Sequence, residues 1–265
     1  QIQALDTTDI WNLSYAQVGA LTTAQINALT SAQIAGLEPT DIGALQPNQV
    51  KAFNTSAISQ FSSNQFAAFS STALQAFTTA QVRALTSDQI RAYPINQLQY
   101  ATSTQLQALT SSQIKYIDSF LPNQISSIST SVITNLASDA LNNLSSDQIQ
   151  ALSASQINAL GTKGIDSLSS TQIGALSSSA VKALTGTQIQ ALGTAKISGL
   201  TSAQLRSLST GAINALSNTQ ISKLGTASVA NLTNDQIGAI ATDVVKELTS
   251  DQIQALGTAG VTALK

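Results

Sequence analysis

Cysteine, methionine and histidine are absent from this chain of 265 residues, and only 9% of its residues carry a charge. These absences exclude disulfides, thiolate or imidazole metal ligands, Cys or His nucleophiles and an imidazole pH switch. The formal net charge of −2 also provides no basic surface that would attract nucleic acids or anionic membranes. We therefore expect no enzymatic activity, no cofactor, no metal site and no nucleic-acid partner.

Long apolar runs are missing too. No stretch of about 18 apolar residues is present, so we expect no direct insertion into a membrane. The start, Gln1 to Leu5, has neither a basic nor an apolar signal-peptide region, and we expect any address signal to lie outside this sequence. The absence of cysteine favours an extracellular or cell-surface location, where thiols meet oxidants.

What the chain does contain is an eight-residue repeat with the pattern [S/T]-x-x-Q-I-x-A-L. A large apolar anchor stands at its fifth position, from Ile2 to Ile114 and again from Ile125 to Val261, and a second anchor stands three residues later. A spacing of three places both anchors on one helical face. Eight residues of continuous helix, however, rotate by about 800°, which scatters successive anchor pairs. Each octad therefore predicts one short helix followed by a change of direction.

Each octad also begins with a capping signal. Thr22, Thr30 and Thr86 are each followed three residues later by Gln, the arrangement in which hydroxyl and amide groups satisfy the free N–H groups of a helix start. Burying two anchors contributes about 3–6 kcal/mol, whereas ordering eight residues costs about 8–16 kcal/mol. Octads must therefore stabilise one another, which predicts an all-α solenoid of very short helices, wound into an elongated superhelix.

A second period suggests how many octads make one coil. From residue 153 onward, Gln returns at the fourth position every sixteen residues. The octads between often begin with glycine, and we expect left-handed helix caps at Gly161, Gly193, Gly225 and Gly257. This pattern predicts a 16-residue super-repeat with two unlike helices per coil. A coil of three octads stays open, because the earlier half lacks the alternation.

The repeat slips once, where the spacing from Ile114 to Ile125 is eleven residues. This divides the chain into an aromatic-rich octad solenoid over 1–117, a slip or bend over 118–121, and a regular alternating octad solenoid over 122–265. The slip is interpreted as a loop that redirects the stack or as a contact site with Phe120 exposed.

Prolines and aromatic residues follow the octad register. Proline occurs only in the first two octad positions, where a helix start tolerates it, at Pro39, Pro47, Pro94 and Pro122. Phenylalanine replaces four successive second anchors, which predicts an internal aromatic stack rather than a ligand platform, at Phe53, Phe61, Phe69 and Phe77. Trp11 and Tyr15 stand at variable positions near the start, and with Phe120 they are the candidate partner contacts.

Residues 21–37, 78–93, 145–160 and 249–256 carry Leu-Thr-Thr-Ala-Gln-Ile-x-Ala-Leu units in close or complete form. With these units the chain resembles long, repetitive bacterial secreted or surface proteins of adhesin-like type. The resemblance implies a role in a surface stalk, matrix or biofilm. It implies no catalytic or binding residue.

Two functions compete. The first is a structural extracellular element, either the rigid spacer of an adhesin or the subunit of a surface filament or layer. Because neither terminus has a polar capping repeat, we expect its partners to be neighbouring repeats of a longer chain or an end-to-end homo-oligomer. The second is a binding module that presents Ser- and Thr-rich rows to carbohydrate, ice or a protein partner such as a surface protein.

Overall fold

The computed structural model describes residues 1–92 and 100–264. That part of the chain consists of short α-helices and two 3-10 helices, and it contains no β-strand. The helices pack on one another, so the predicted all-α solenoid of very short helices is confirmed. The chain divides into two compact units, Gln1–Val132 (unit 1) and Ile133–Lys265 (unit 2).

Unit 1 opens with a 3-10 helix, Ile2–Ala4, and contains a second one, Gln113–Ser119. Its α-helices are α1 (Thr7–Trp11), α2 (Tyr15–Gly19), α3 (Thr23–Asn27), α4 (Ser31–Gly36), α5 (Pro39–Ile42), α6 (Pro47–Ala52), α7 (Thr55–Ile58), α8 (Ser63–Ala67), α9 (Ser71–Gln75), α10 (Thr79–Ala84), α11 (Ser87–Ala92), α12 (Ser103–Ala108) and α13 (Pro122–Ile125). The next helix, α14 (Thr130–Ile133), includes the division between the units.

Unit 2 continues the same one-helix-per-octad pattern. Its α-helices are α15 (Ser138–Asn142), α16 (Ser146–Gln150), α17 (Ala154–Ala159), α18 (Gly161–Ser167), α19 (Ser170–Ala175), α20 (Ser178–Ala183), α21 (Gly186–Ala191), α22 (Gly193–Ile197), α23 (Ser202–Ser207), α24 (Thr210–Asn214), α25 (Asn218–Ser222), α26 (Thr226–Ala230), α27 (Asn234–Ile237), α28 (Thr242–Val245) and α29 (Ser250–Ala263). The last of these contains a break at Gly257, so it spans two octads.

The predicted capping boxes are present. In α3, the Thr22 hydroxyl accepts a hydrogen bond from the Gln25 backbone N–H at 3.2 Å, and the Gln25 side-chain oxygen accepts one from the Thr22 N–H at 2.8 Å. The helix ends where two consecutive residues become extended, as at Phe53 (ψ 132°) and Asn54 (ψ 162°). An extended anchor followed by an extended cap therefore redirects the chain once per octad.

The structure corrects the predicted number of octads per coil from two to three. Within unit 1, α1 packs on α4, α2 on α5 and α3 on α6; within unit 2, α17 packs on α20 and α18 on α21. One coil is therefore 24 residues long. The core gives the reason: Phe53, Phe61 and Phe69, from three successive octads, meet edge to face with centroid distances of 5.2 Å, so three anchors together fill the centre of the coil.

The predicted internal aromatic stack is confirmed. Phe53, Phe61, Phe69 and Phe77 are all buried, and Phe69 and Phe77 continue the edge-to-face contacts at 5.4 Å. Phe66 joins this cluster from a fifth octad position, 5.9 Å from Phe69. Edge-to-face packing is the arrangement that the ring quadrupoles favour. These rings form part of the buried core of unit 1.

Three of the four octad-leading glycines have the expected positive φ: Gly161 and Gly193 at 63° and Gly257 at 62°. At Gly257 ψ is −176°, a region that only glycine visits readily. The anchors before Gly161 and Gly193 stay helical, so the turn moves from the leucine to the glycine. The prediction is wrong for Gly225, which has φ −64° and ψ 149° and occupies an ordinary N-cap position.

The slip is absorbed without an exposed loop. The 3-10 helix Gln113–Ser119 takes up the extra residues, because the 3-10 helix rises further per residue than the α-helix. Ile117 and Phe120 are buried, so the interpretation of Phe120 as an exposed contact is wrong. The two compact units divide after Val132, and the division of the octad pattern at 118–121 stays a prediction.

The prolines mark helix starts as predicted wherever the structure describes them. Pro39, Pro47 and Pro122 each stand at the first turn of their helices. That position tolerates proline because its N–H would have no partner within the helix. Pro94 and its neighbour Tyr93 lie outside the described residues.

Candidate functional site

A row of buried glutamines is the most unusual polar feature of the molecule. They occupy the fourth octad position, next to the first anchor, where a buried polar side chain needs hydrogen-bond partners. The glutamines in this row with described partners one coil away are Gln33, Gln49, Gln65, Gln81, Gln89, Gln105, Gln113, Gln172, Gln188, Gln204, Gln220, Gln236 and Gln252.

Each of these side chains forms hydrogen bonds both with the start of its own helix and with the preceding coil, as Gln65 shows. Its Oε1 accepts a hydrogen bond from the N–H of the N-cap Ser62 at 2.8 Å. Its Nε2 donates to the carbonyl oxygens of Ile34 at 2.8 Å and Leu37 at 2.7 Å. These carbonyls belong to the preceding coil, 31 and 28 residues earlier in the chain. We call this two-way arrangement a glutamine rung.

The glutamine rung satisfies backbone groups that very short helices leave without a hydrogen-bond partner. The last carbonyls of a helix have no partner within it, and a helix of five residues consists almost entirely of such ends. Leaving a buried carbonyl unsatisfied costs about 1–3 kcal/mol. By satisfying a helix start and the preceding coil's helix end with one amide, each glutamine ties consecutive coils together.

Sequence reasoning identified the cap and missed the rung. A signal was available, because a capping box accepts Glu as readily as Gln, yet no octad carries Glu at its fourth position. Only the amide has both the acceptor and the donor that the rung needs. The absence of Glu from this position therefore points to a second hydrogen bond.

The rungs also explain the 16-residue alternation. Gln188 donates to the carbonyl of Ile157, and Gln220 to that of Ile189. Each of these rungs joins an octad to the fourth octad before it, so from Gln188 onward a Gln-bearing octad donates to another Gln-bearing octad. Since a coil holds three octads, an alternation of two distributes rungs evenly over the three sides.

Lys196 takes the place of a rung glutamine. Its Nζ lies 2.9 Å from the Asp166 carboxylate, and it also donates to the Asp166 carbonyl oxygen. Asp166 stands 30 residues earlier, in the region that a rung glutamine reaches. A long cation can therefore make the connection between coils, with a solvated carboxylate as an additional partner.

Asp41 occupies the same octad position in unit 1 and is buried. Burial raises the pKa of its carboxyl group, and the nearby charge of Glu38 raises it further. A carboxylate offers no donor to the preceding coil. Asp41 is thus a fourth-position residue without the donor that makes a rung.

The candidate contact residues Trp11 and Tyr15 lie at the surface of unit 1. Their side chains are 55% and 58% exposed. Tyr15 begins α2, and its hydroxyl donates a hydrogen bond to the Gly43 carbonyl at 3.3 Å. The third candidate, Phe120, lies in the core and is not brought together with them.

A small apolar pocket of about 50 Å³, partly open to solvent, lies in unit 1 and is lined by residues that include Phe66, Phe77 and Leu106. Such a volume could hold only a few water molecules. In the part of the chain that the structure describes, no three His, Cys, Asp or Glu side chains form a group suited to a metal ion. Of the helices in those same residues, none has the length and apolar character needed to span a membrane.

A family model, the ALTTAQ repeat, matches the chain seven times. The matches are at residues 2–39, 34–71, 63–92, 149–178, 157–194, 189–226 and 197–234, which together cover more than half of the sequence. The chain belongs to the ALTTAQ repeat family. A search of curated proteins found no match.

The ALTTAQ letters have a structural meaning here. They occur as Ala20 to Gln25 and span the junction between two octads. The Leu is the second anchor, whose carbonyl accepts from a rung: Leu21 receives Gln49 at 2.6 Å. The first Thr is the helix cap, and the Gln stands at the fourth octad position, which the rung glutamines occupy elsewhere in the chain. The family signature therefore spans the turn between two octads, where the chain changes direction and accepts a hydrogen bond from the neighbouring coil.

Proposed function

We propose that the chain is a structural repeat element, a spacer that holds other parts of a larger protein or assembly at a set distance and bears load. The glutamine rungs carry this proposal. They spread equivalent hydrogen bonds along each unit, so that consecutive coils are connected both through the apolar core and through buried polar contacts. The role is proposed to be non-catalytic.

Stretching single molecules in optical tweezers tests the load-bearing role. We expect resistance to force and extension in steps that are multiples of roughly 80 Å, since a 24-residue coil extends by about 3.3–3.6 Å per residue. The variant Leu176→Asp is a matched control and should lose the steps from unit 2 only. Smooth extension without steps would contradict the proposal.

An extracellular or cell-surface location, in an adhesin stalk, filament or layer, is part of the same proposal. The absence of cysteine supports it, because a protein without thiols tolerates an oxidising exterior. Antibody labelling of intact and permeabilised producing cells tests it. Labelling confined to permeabilised cells would contradict a surface location.

A second candidate function is recognition of a carbohydrate or surface protein, and the exposure of Trp11 and Tyr15 favours it. Aromatic side chains that are half exposed offer an apolar face together with a polar edge. In a glycan-array assay, the double variant Trp11→Ala/Tyr15→Ala should lose binding that the control Gln190→Ala retains. Equal binding by all three proteins would remove these residues from consideration.

A further inference from the structure

The glutamine rungs of unit 2 differ in the number of carbonyl acceptors that they reach. Gln204 and Gln236 each donate to three carbonyls of the preceding coil, including those of the first and the second anchor. Gln188 and Gln220 each donate only to the first-anchor carbonyl, at 2.8 Å. An amide Nε2 carries two N–H groups. Among the residues that the structure describes, one N–H of Gln188 and one of Gln220 therefore have no acceptor.

The glycine turns explain the lost acceptor. Gln188 reaches the octad that ends at Leu160, and Gln220 reaches the octad that ends at Leu192. Each of these two leucines is followed by a glycine with φ 63°. Leu160 and Leu192 keep helical backbone angles, with ψ at −25° and −22°. Their carbonyl oxygens therefore continue along the helix, whereas an extended second anchor turns its carbonyl toward the rung.

A third glycine-led octad provides an internal comparison. Gln252 reaches the octad that ends at Leu224, which is followed by Gly225. Gly225 has an ordinary φ of −64°. Gln252 accordingly donates to both anchors, Ile221 at 2.9 Å and Leu224 at 2.7 Å. The positive φ of the turn, and not the glycine itself, removes the second acceptor.

The two free N–H groups lie in the interior of unit 2. Gln188 is 2% exposed and Gln220 is 1% exposed, and a buried donor needs a hydrogen-bond partner. A Cβ placed on Gly161 or Gly193 would meet no atom within 4 Å. Each turn therefore has open space around it, which lets solvent approach the helix end that the rung reaches.

We propose that a water molecule binds at each of these two places and completes the rung. The water accepts the free N–H of Gln188 or Gln220 and donates to the carbonyl oxygen of the helical leucine. That carbonyl has capacity for it: the Leu160 oxygen accepts from the Gly164 N–H at 3.2 Å and keeps a second lone pair. A bridging water is nearly as favourable as the direct hydrogen bond that it replaces.

These water sites are independent of the proposed spacer role, because they concern how two coils are joined and not what the chain holds apart. A chain that bears load without bound water at these rungs would contradict the water sites alone. A chain that holds the two waters and extends smoothly under force would contradict the spacer alone.

Water–protein cross-relaxation measured by NMR tests the two sites. At a pH where amide exchange is slow, the side-chain amide protons of Gln188 and Gln220 should show nuclear Overhauser cross-peaks to water with the sign of a bound molecule. The same protons of Gln204 and Gln236 are already paired with carbonyls and should show none. A missing cross-peak at either Gln188 or Gln220, or equal cross-peaks at all four glutamines, would overturn the proposal.

The variant Gly161→Thr tests the cause. Threonine is an ordinary N-cap residue and disfavours positive φ, so Leu160 should become extended and offer its carbonyl to Gln188. The water cross-peak of Gln188 should disappear, while that of Gln220 stays. The mirror variant Gly193→Thr should have the opposite effect, so the test survives if one variant fails to fold. A cross-peak that persists at the matching glutamine of a folded variant would contradict the assigned cause.

Discussion

Unit 1 fills the centre of some of its coils with phenylalanine and of others with leucine, such as Leu29 and Leu45, whereas unit 2 uses leucine at the equivalent positions. Three ring pairs run through unit 1, from Phe53 to Phe77. In unit 2 the buried second anchors from Leu144 to Leu232 are all leucine. Both units nevertheless form helices of similar length joined in the same order. The octad therefore specifies the path of the backbone, and the size of the anchor is adjusted separately.

The fourth octad position differs between the units as well. Unit 1 has rungs in consecutive octads, at Gln81 and Gln89 and again at Gln105 and Gln113. From Gln156 onward, unit 2 alternates octads that carry Gln at the fourth position with octads that carry other residues there, such as Ala180 and Ala212. Both arrangements keep the coils in contact, which indicates that a rung in every second octad is sufficient.

The largest effect should come from placing a charge in the leucine core of unit 2. Leu176 is buried, and Leu176→Asp should lower the free energy of unfolding by about 4–5 kcal/mol or more, because an unpaired carboxylate replaces an anchor. The control Asn234→Ala alters an exposed residue and should change it by less than about 0.5 kcal/mol. Urea unfolding measures both, and equal small effects would mean that the anchors are wrongly assigned.

The aromatic core should be more sensitive to truncation than the leucine core. Phe69→Ala should cost about 3–5 kcal/mol, because Phe69 touches the rings of Phe61, Phe66 and Phe77. The matched change Leu208→Ala in unit 2 should cost less, by the extra ~0.5–1.5 kcal/mol that ring contacts contribute. If urea melts show that Leu208→Ala lowers the free energy of unfolding more than Phe69→Ala does, the comparison is contradicted.

Much of the fold could be predicted from the sequence because its causes are local. Thr22 and Gln25 predict a helix start whatever lies around them, and Ile26 and Leu29 predict its buried face. The number of octads per coil could not be predicted, because it depends on how three anchors meet in space. The burial of Phe120 depends likewise on a 3-10 helix that no repeat pattern encodes. The glutamine rung is a contact 28 to 31 residues away, and only the absence of Glu hinted at it.

Removing one rung donor should cost less than removing an anchor. Gln204→Glu keeps the cap acceptor and loses the donor to Ile173, Gly174 and Leu176, which should lower stability by about 1–3 kcal/mol at neutral pH. Below the ordinary pKa of glutamate the protonated carboxyl group can donate again, so part of the loss should disappear. Chemical unfolding at both pH values measures this, with Gln190→Glu as the control at an exposed position.

Two glycines of unit 2 with different backbone conformations, Gly193 and Gly211, offer a matched pair of substitutions. Gly193 has φ 63°, so Gly193→Ala should cost about 1–3 kcal/mol through backbone strain alone. Gly211 lies inside α24 with ordinary helical geometry and open space around it, so Gly211→Ala should raise stability by about 0.4–1 kcal/mol. Thermal melts that show the same sign for both would contradict the assigned backbone conformations.

The smallest effect concerns pH and unit 1. The pKa of Asp41 is raised in the folded chain by burial and by Glu38, so the folded state holds the proton more tightly than the unfolded state. The stability that the protonated Asp41 carboxyl group contributes is therefore present at low pH and is lost as the pH rises through the range in which this group titrates. Asp41→Asn should raise the melting temperature at neutral pH and flatten this part of the pH profile. A lower melting temperature at neutral pH would show that the carboxylate is favourably paired.

The number of octads per coil is the central claim, and the natural absence of cysteine permits a direct test by disulfide formation. A Cβ placed on Gly19 would lie 3.5 Å from the Cβ of Ala44 in the next coil, within the range for a disulfide. The pair Gly19→Cys/Ala44→Cys should oxidise to an intramolecular disulfide, detected by mass spectrometry. The pair Gly19→Cys/Ala35→Cys, spaced for a two-octad coil, should stay reduced. The opposite result, with the second pair bridged and the first pair free, would contradict the three-octad coil.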